Sequence, residues 1–180
     1  MIDRRELLKI GAGAALGTGF VPGAVTAQQD RATFYVAALA GGLQVPPVET
    51  PAQGGALFGL SENGSEINYT LAVSDIRNVL MAHIHLGAPD ENGEVVVWLY
   101  PSPEQQSPEL KRGRFNGVLV EGTFTADDLV GPLSGDSLDV LVRELAQGDA
   151  YVNVHTRQNP DGEIRGQIHP VNKLVDIASS

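Results

Sequence analysis

Ile67-Asn68-Tyr69-Thr70-Leu71-Ala72-Val73 sets a large apolar side chain at every odd position and a small or polar one at every even position. A β-strand turns successive side chains to opposite faces, so this run reads as a strand with its odd face in a core and its even face toward water. Working outward, strands are expected near Thr33 to Leu39, Gly55 to Ser61, Glu66 to Val73, Val79 to Leu86, Glu94 to Tyr100, Arg114 to Glu121, Ala150 to Arg157 and Glu163 to His169. Glu62-Asn63-Gly64, Asn92-Gly93 and Asp161-Gly162 lie between them, and each supplies residues that tolerate positive φ in a hairpin turn. One segment has another period: Leu138, Leu141, Val142 and Leu145 recur at helical spacing, follow Asp136 and Ser137, and stop before Gly148. Thr125 to Leu129 is expected to form a helical turn. The fold class that follows is all-β, an antiparallel Greek-key sandwich or barrel with one short helix in the C-terminal half.

The first residues carry a different message. Arg4-Arg5 and Lys9 precede an apolar, glycine-rich stretch from Ile10 to Val21, and Val25 and Ala27 are small residues suited to cleavage after Ala27. The pattern is that of a twin-arginine export signal over residues 1–27, too short and too rich in glycine for a spanning helix. It places the mature chain, residues 28–180, in the secreted or cell-envelope space. That length suits one domain. The chain has no cysteine, so disulfides, thiolate metal sites and lipid-modified cysteine are excluded. Its formal charge is −10, and loss of the leader makes it one unit more negative, which disfavours nucleic acid and anionic membrane surfaces as partners. No stable membrane anchor is expected, the last residues from Val171 to Ser180 being short and mixed. Pro101 to Glu109, with three prolines, cannot join a sheet ladder and reads as an exposed loop.

Three of the four histidines fall in two segments of similar build. Ala82-His83-Ile84-His85 runs into a loop closed by Asn92-Gly93-Glu94, and Val152-Asn153-Val154-His155 runs into one closed by Asp161-Gly162-Glu163. His83 and His85, two apart on a strand, share a face while Ile84 points to the core; His155 lies on the face opposite Val152 and Val154. If the two hairpins are neighbours, His83, His85 and His155 converge. Three imidazoles suit copper or zinc, and the competing reading is that they hydrogen-bond backbone and hold the long loops. His169, beside Pro170, reads as a surface residue. The acidic groups Asp90, Glu91, Glu94, Asp161 and Glu163 lack the spacing of a calcium loop and read as solvated turns, with Glu163 and Arg165 set to pair along one strand. Serine-hydrolase and phosphate-loop motifs are absent from the sequence, as is a cysteine nucleophile.

Ala37-Ala38-Leu39-Ala40-Gly41-Gly42-Leu43-Gln44-Val45-Pro46-Pro47-Val48-Glu49-Thr50, Ala82 to Gly87, Tyr151 to Thr156 and Pro160 to Ile168 occur in the order and spacing of one family. Over residues 33–168 the chain resembles the CHRD domain, named for chordin and found in microbial secreted proteins. The resemblance implies a single extracellular β domain whose molecular activity the family does not fix. The His-x-His strand and the later histidine also resemble, more distantly, the copper/zinc superoxide dismutase sandwich, but this chain lacks its cysteines and fuller histidine set. The Gln44 to Thr50 segment, stiffened by Pro46-Pro47, reads either as a recognition loop or as a guard on a sheet edge. The expected activity is that of a non-enzymatic binding or interaction module for an extracytoplasmic ligand or protein. The alternative is a copper- or zinc-binding redox or metal-carrier protein using His83, His85 and His155.

Overall fold

A computed structural model describes residues 34–171. The expected leader, residues 1–27, and the residues after Val171 lie outside the described residues.

The strands are β1 (Phe34–Ala40), β2 (Gln53–Leu60), β3 (Glu66–Leu86), β4 (Val95–Tyr100), β5 (Lys111–Thr125), β6 (Ala150–Thr156), β7 (Ile164–Gln167) and the short β8 (His169–Pro170). One α-helix, α1 (Leu138–Gln147), preceded by two short 3-10 turns, stands between β5 and β6. All pairings between strands are antiparallel. Strands β2, β1, β7, β6 and β3 pair in that order and β3 pairs again with β2, closing a barrel, while β4 and β5 extend from β3. The long passage from β5 through α1 is what lets β6 and β7 enter between β3 and β1. Local hairpins alone would not produce that order.

The opening sequence, with Glu66 before it, forms the first part of β3. Its odd positions Ile67, Tyr69, Leu71 and Val73 are buried against Phe58, Phe124 and their neighbours, while Asn68 is exposed. Two segments expected as separate strands, Glu66 to Val73 and Val79 to Leu86, are one strand of 21 residues. The reason is local. Asp75 and Asn78 both take φ of 55°, and the ladder with β5 shifts register between Val73 and Ile76 and again between Arg77 and Val79. The first shift has its extra residue on β3 and the second on β5, and such bulge-like irregularities bend and twist a strand without ending it. Asp and Asn are the non-glycine residues best able to adopt that conformation. Buried residues therefore step by three through Val73, Ile76 and Val79 before regular pairing resumes along β6 at Met81.

The helix forms where its spacing predicted. Leu138, Leu141, Val142 and Leu145 are buried, and Gly148 closes it at φ 86° with its N–H on the Glu144 carbonyl. Thr125 and Asp128 form a reciprocal capping box over the turn Ala126–Asp128. No described helix is long and apolar enough to cross a membrane.

Asn78 tests the bulge. Its side chain also accepts a hydrogen bond from the Gly113 N–H at 2.9 Å. Asn78→Gly removes that bond but keeps the backbone conformation, whereas Asn78→Val loses both. Urea denaturation should find the valine variant less stable than the glycine variant by roughly 1–2 kcal/mol, the cost of a left-handed residue bearing a Cβ. Equal stability would show that φ at this position does not constrain β3.

Candidate metal centre

Strands β3 and β6 lie side by side, and Ala82, Ile84, Val152 and Val154 are fully buried toward the barrel interior. Alternation then turns His83, His85 and His155 to the outer face. The ladder sets Met81 opposite His155, His83 opposite Asn153 and His85 opposite Tyr151. Both strands continue into hairpins, β3 to β4 and β6 to β7, and the hairpin loops fold back over this face. The outer face is consequently dry: His83, His85 and His155 are only 3%, 8% and 6% exposed.

One ring nitrogen from each of the three lies within 4.8 Å of the others. His83 Nδ1 stands 3.3 Å from His155 Nε2. His85 Nδ1 is 2.9 Å from the Gly93 carbonyl, and His155 Nδ1 is 2.9 Å from the Pro160 carbonyl. A carbonyl can only accept, so in both rings Nδ1 carries the proton and Nε2 presents a lone pair. This is the arrangement that outer hydrogen bonds impose on metal-ligating histidines. His83 Nε2 and His85 Nε2 are buried without a hydrogen-bond partner. A buried, unsatisfied acceptor costs about 1–3 kcal/mol, and a bound cation would relieve that cost for a lone pair.

The loops are built to bring those carbonyls in. A Cβ on Gly93 would fall on the Leu86 carbonyl, and one on Gly162, at φ 127°, would fall on the Asn153 amide. Around the imidazoles, Trp98 meets His83 edge-on with centroids 4.2 Å apart, and Tyr151 stacks on His85 at 5.0 Å and 10°. Tyr151 Oη accepts the Gly93 N–H at 3.1 Å, tying the same loop to β6. Arg165 also lies over the Tyr151 ring, 3.4 Å from its centroid, and is 1% exposed. Its guanidinium donates to the Ala88 and Glu91 carbonyls at 2.8 Å and to Asn92 Oδ1 at 3.2 Å.

Burial dominates the proton affinities. It lowers His83 to about 2, with the neighbouring imidazoles of His155 and His85 adding to the effect. Burial lowers His85 to about 4 against the upward pull of its bond to Gly93, with His155 and Arg165 lowering it further. Burial also lowers His155, opposed by the Pro160 carbonyl and by Asp161. All three are held neutral, the form in which imidazole binds metal.

The three sequence-predicted ligands thus come together, and the fourth histidine does not join them. His169, on β8 opposite Val36, is half-buried and lines a groove of about 760 Å³ with Val36, Leu43, Pro47 and Pro89. Asp90, Glu91, Glu94 and Asp161 are exposed turn residues, as expected. Glu163 is buried, and it accepts the Thr50 and Thr156 hydroxyls, both at 2.6 Å, so Glu163 and Arg165 take separate partners instead of pairing along the strand. The Gln44 to Thr50 segment packs on the two hairpins through Gln44 Nε2 to Asn153 Oδ1 and Asn92 Nδ2 to the Val45 carbonyl, both 2.7 Å. Sequence reasoning missed Tyr151, Asn153 and Trp98. The first two were within reach, because they share the outward phase of His155 along β6.

The CHRD domain family model matches residues 35–168. The chain belongs to the CHRD family. Its curated relatives include chordin of Xenopus laevis, 34% identical over 138 residues, and chordin of Danio rerio, 35% identical over 136 residues. Each alignment covers 74% of this chain and 13% of the chordin, so the CHRD domain here spans about an eighth of those proteins. No solved structure matches the chain. The matched residues run from β1 to the end of β7 and include every residue of the histidine cluster.

Three neutral buried histidines make the metal-free CHRD domain sensitive to acid. Unfolded, each binds a proton near pH 6.5; folded, His85 does so only near 4 and His83 near 2. Their contribution is therefore intact above pH 6.5 and is lost as pH falls through that value, by up to about 1.4 kcal/mol per pH unit per histidine. Denaturation of chelator-treated protein at pH 7.5 and 5.0 should show a steeper loss in wild type than in the His83, His85 and His155 triple alanine variant. Parallel losses would mean that the three imidazoles do not resist protonation.

Proposed function

We propose that this CHRD protein is an extracytoplasmic, non-enzymatic binding module and that it holds one copper or zinc ion through His83, His85 and His155. The observation that carries the reading is the convergence of three buried, neutral imidazoles within 4.8 Å, two of them with an unpaired Nε2. Hydrogen bonding explains His85 Nδ1 and His155 Nδ1 but leaves the buried Nε2 atoms of His83 and His85 without a partner or a purpose. A metal ion supplies it.

Membership of the CHRD family supports binding as the activity. The polar neighbours of the cluster point the same way, because Asn153, Tyr151 and Arg165 spend their hydrogen bonds on the covering loops. Such neighbours hold a site in shape. The twin-arginine leader read from residues 1–27 supports export, and that route allows a metal to be taken up before the folded protein crosses the membrane.

Mature protein purified without chelators from the native export route should contain close to one copper or zinc per chain by mass spectrometry, and the triple alanine variant should contain none. Metal-free wild type whose melting temperature is unmoved by either ion would remove the proposal. Retention of stoichiometric metal in the variant would move the site elsewhere.

A further inference from the structure

The chain has two methionines, Met1 and Met81, so Met81 is the one thioether among the described residues. Its position is specific. The ladder between β3 and β6 slips once, between Val79 and Met81, and runs regularly from Met81↔His155 through Ala82↔Val154 to His83↔Asn153. Ala82 and Ile84 point into the barrel, so Met81, His83 and His85 share the outer face. Directly opposed residues of an antiparallel pair hold their Cβ atoms about 4.5–5.5 Å apart, which brings the flexible Met81 side chain alongside His155. The half-buried Met81 thus stands at the end of the cluster away from Arg165 and Tyr151.

We propose that the Met81 thioether joins His83, His85 and His155 to form a copper(I) centre that discriminates against divalent ions. The inference rests on the three-histidine reading above and names the ion that it holds. Two properties of the surroundings set the preference. Thioether sulfur is a soft donor, which selects copper(I) over zinc. The electrostatics agree: all four donors are neutral, and the buried Glu163 is occupied by Thr50 and Thr156. Asp161 faces His155 from an exposed turn where solvent screens it. A buried cation, Arg165, stands one aromatic ring from His85, both packing on Tyr151. A low-dielectric site with neutral donors and a neighbouring cation penalises each added positive charge, so a monovalent ion is favoured. At roughly 10 Å and an effective dielectric near 20, the guanidinium alone disfavours a second charge on the order of tenfold.

The test is an anaerobic competition titration of the mature protein with copper(I) against bicinchoninate and with zinc against a chelating dye, with X-ray absorption at the copper edge. Met81→Leu keeps the side-chain volume and removes the sulfur. Wild type should bind copper(I) at least a hundredfold more tightly than zinc and show a copper–sulfur scattering shell. The leucine variant should lose that shell and about tenfold or more in copper(I) affinity, with zinc affinity unchanged. Unaltered copper(I) binding in Met81→Leu, or an equal fall for both ions, would overturn the assignment of Met81. Zinc bound more tightly than copper(I) by wild type would overturn the selectivity. A wild type that binds neither ion would overturn the three-histidine reading itself, and this inference with it.

Discussion

The fold and the site both depend on the continuity of β3. Its first part pairs with β2 and β5, and its last part with β6 and β4, so one backbone carries hydrogen bonds to four other strands. A straight strand of 21 residues would span roughly 70 Å at about 3.3 Å per residue, far more than a domain of this size can cover. The bulges at Asp75 and Asn78 resolve the conflict by bending the strand while its ladder continues. Without that bend, His83 and His85 would not meet β6 at the register that faces them toward His155.

Division of labour between the two faces follows from the same geometry. Inside the barrel, Ile84, Val152 and Val154 pack into the apolar core with Ile67, Leu71 and Ile164. Outside, the next residues along the same strands carry the imidazoles, and the loops exclude water from them. Those loops make the resemblance between the hairpins physical as well as sequential. In each, the loop returns a carbonyl to the Nδ1 of the histidine on the strand before it, Gly93 to His85 and Pro160 to His155. Glycine at 93 and 162 is what allows the close approach.

Much of this was legible in the sequence, and what was not has identifiable causes. Period two revealed the strands, helical spacing revealed α1, and the face of each histidine followed from Ile84, Val152 and Val154. Strand pairing was not legible, since the β3–β6 contact joins residues about seventy apart and no local pattern encodes it. The bulges disguised β3 as two strands because each one resets the alternation by a residue. Buried Glu163 and Arg165 were misread for a related reason. Their separation of two suggests a pair, but their partners, Thr50 and the Ala88–Asn92 loop, come from distant segments.

The placement of the cluster also bears on what the proposed ion would mean for the fold. In a small metal-folded domain the ion supplies the folding free energy, and loss of metal unfolds the chain. Here the apolar interior is assembled from side chains on the opposite face, so the core of the barrel would not depend on an ion at the cluster. What the cluster costs falls on the outer layer, where His83 Nε2 and His85 Nε2 are buried without a hydrogen-bond partner. The loops that cover them are held independently, by Arg165 and Tyr151 on one hairpin and by Gln44, through Asn153, on the other. A framework that stands on its own core and keeps these nitrogens aligned would suit reversible uptake and release of the proposed ion, because little reorganisation would accompany either step.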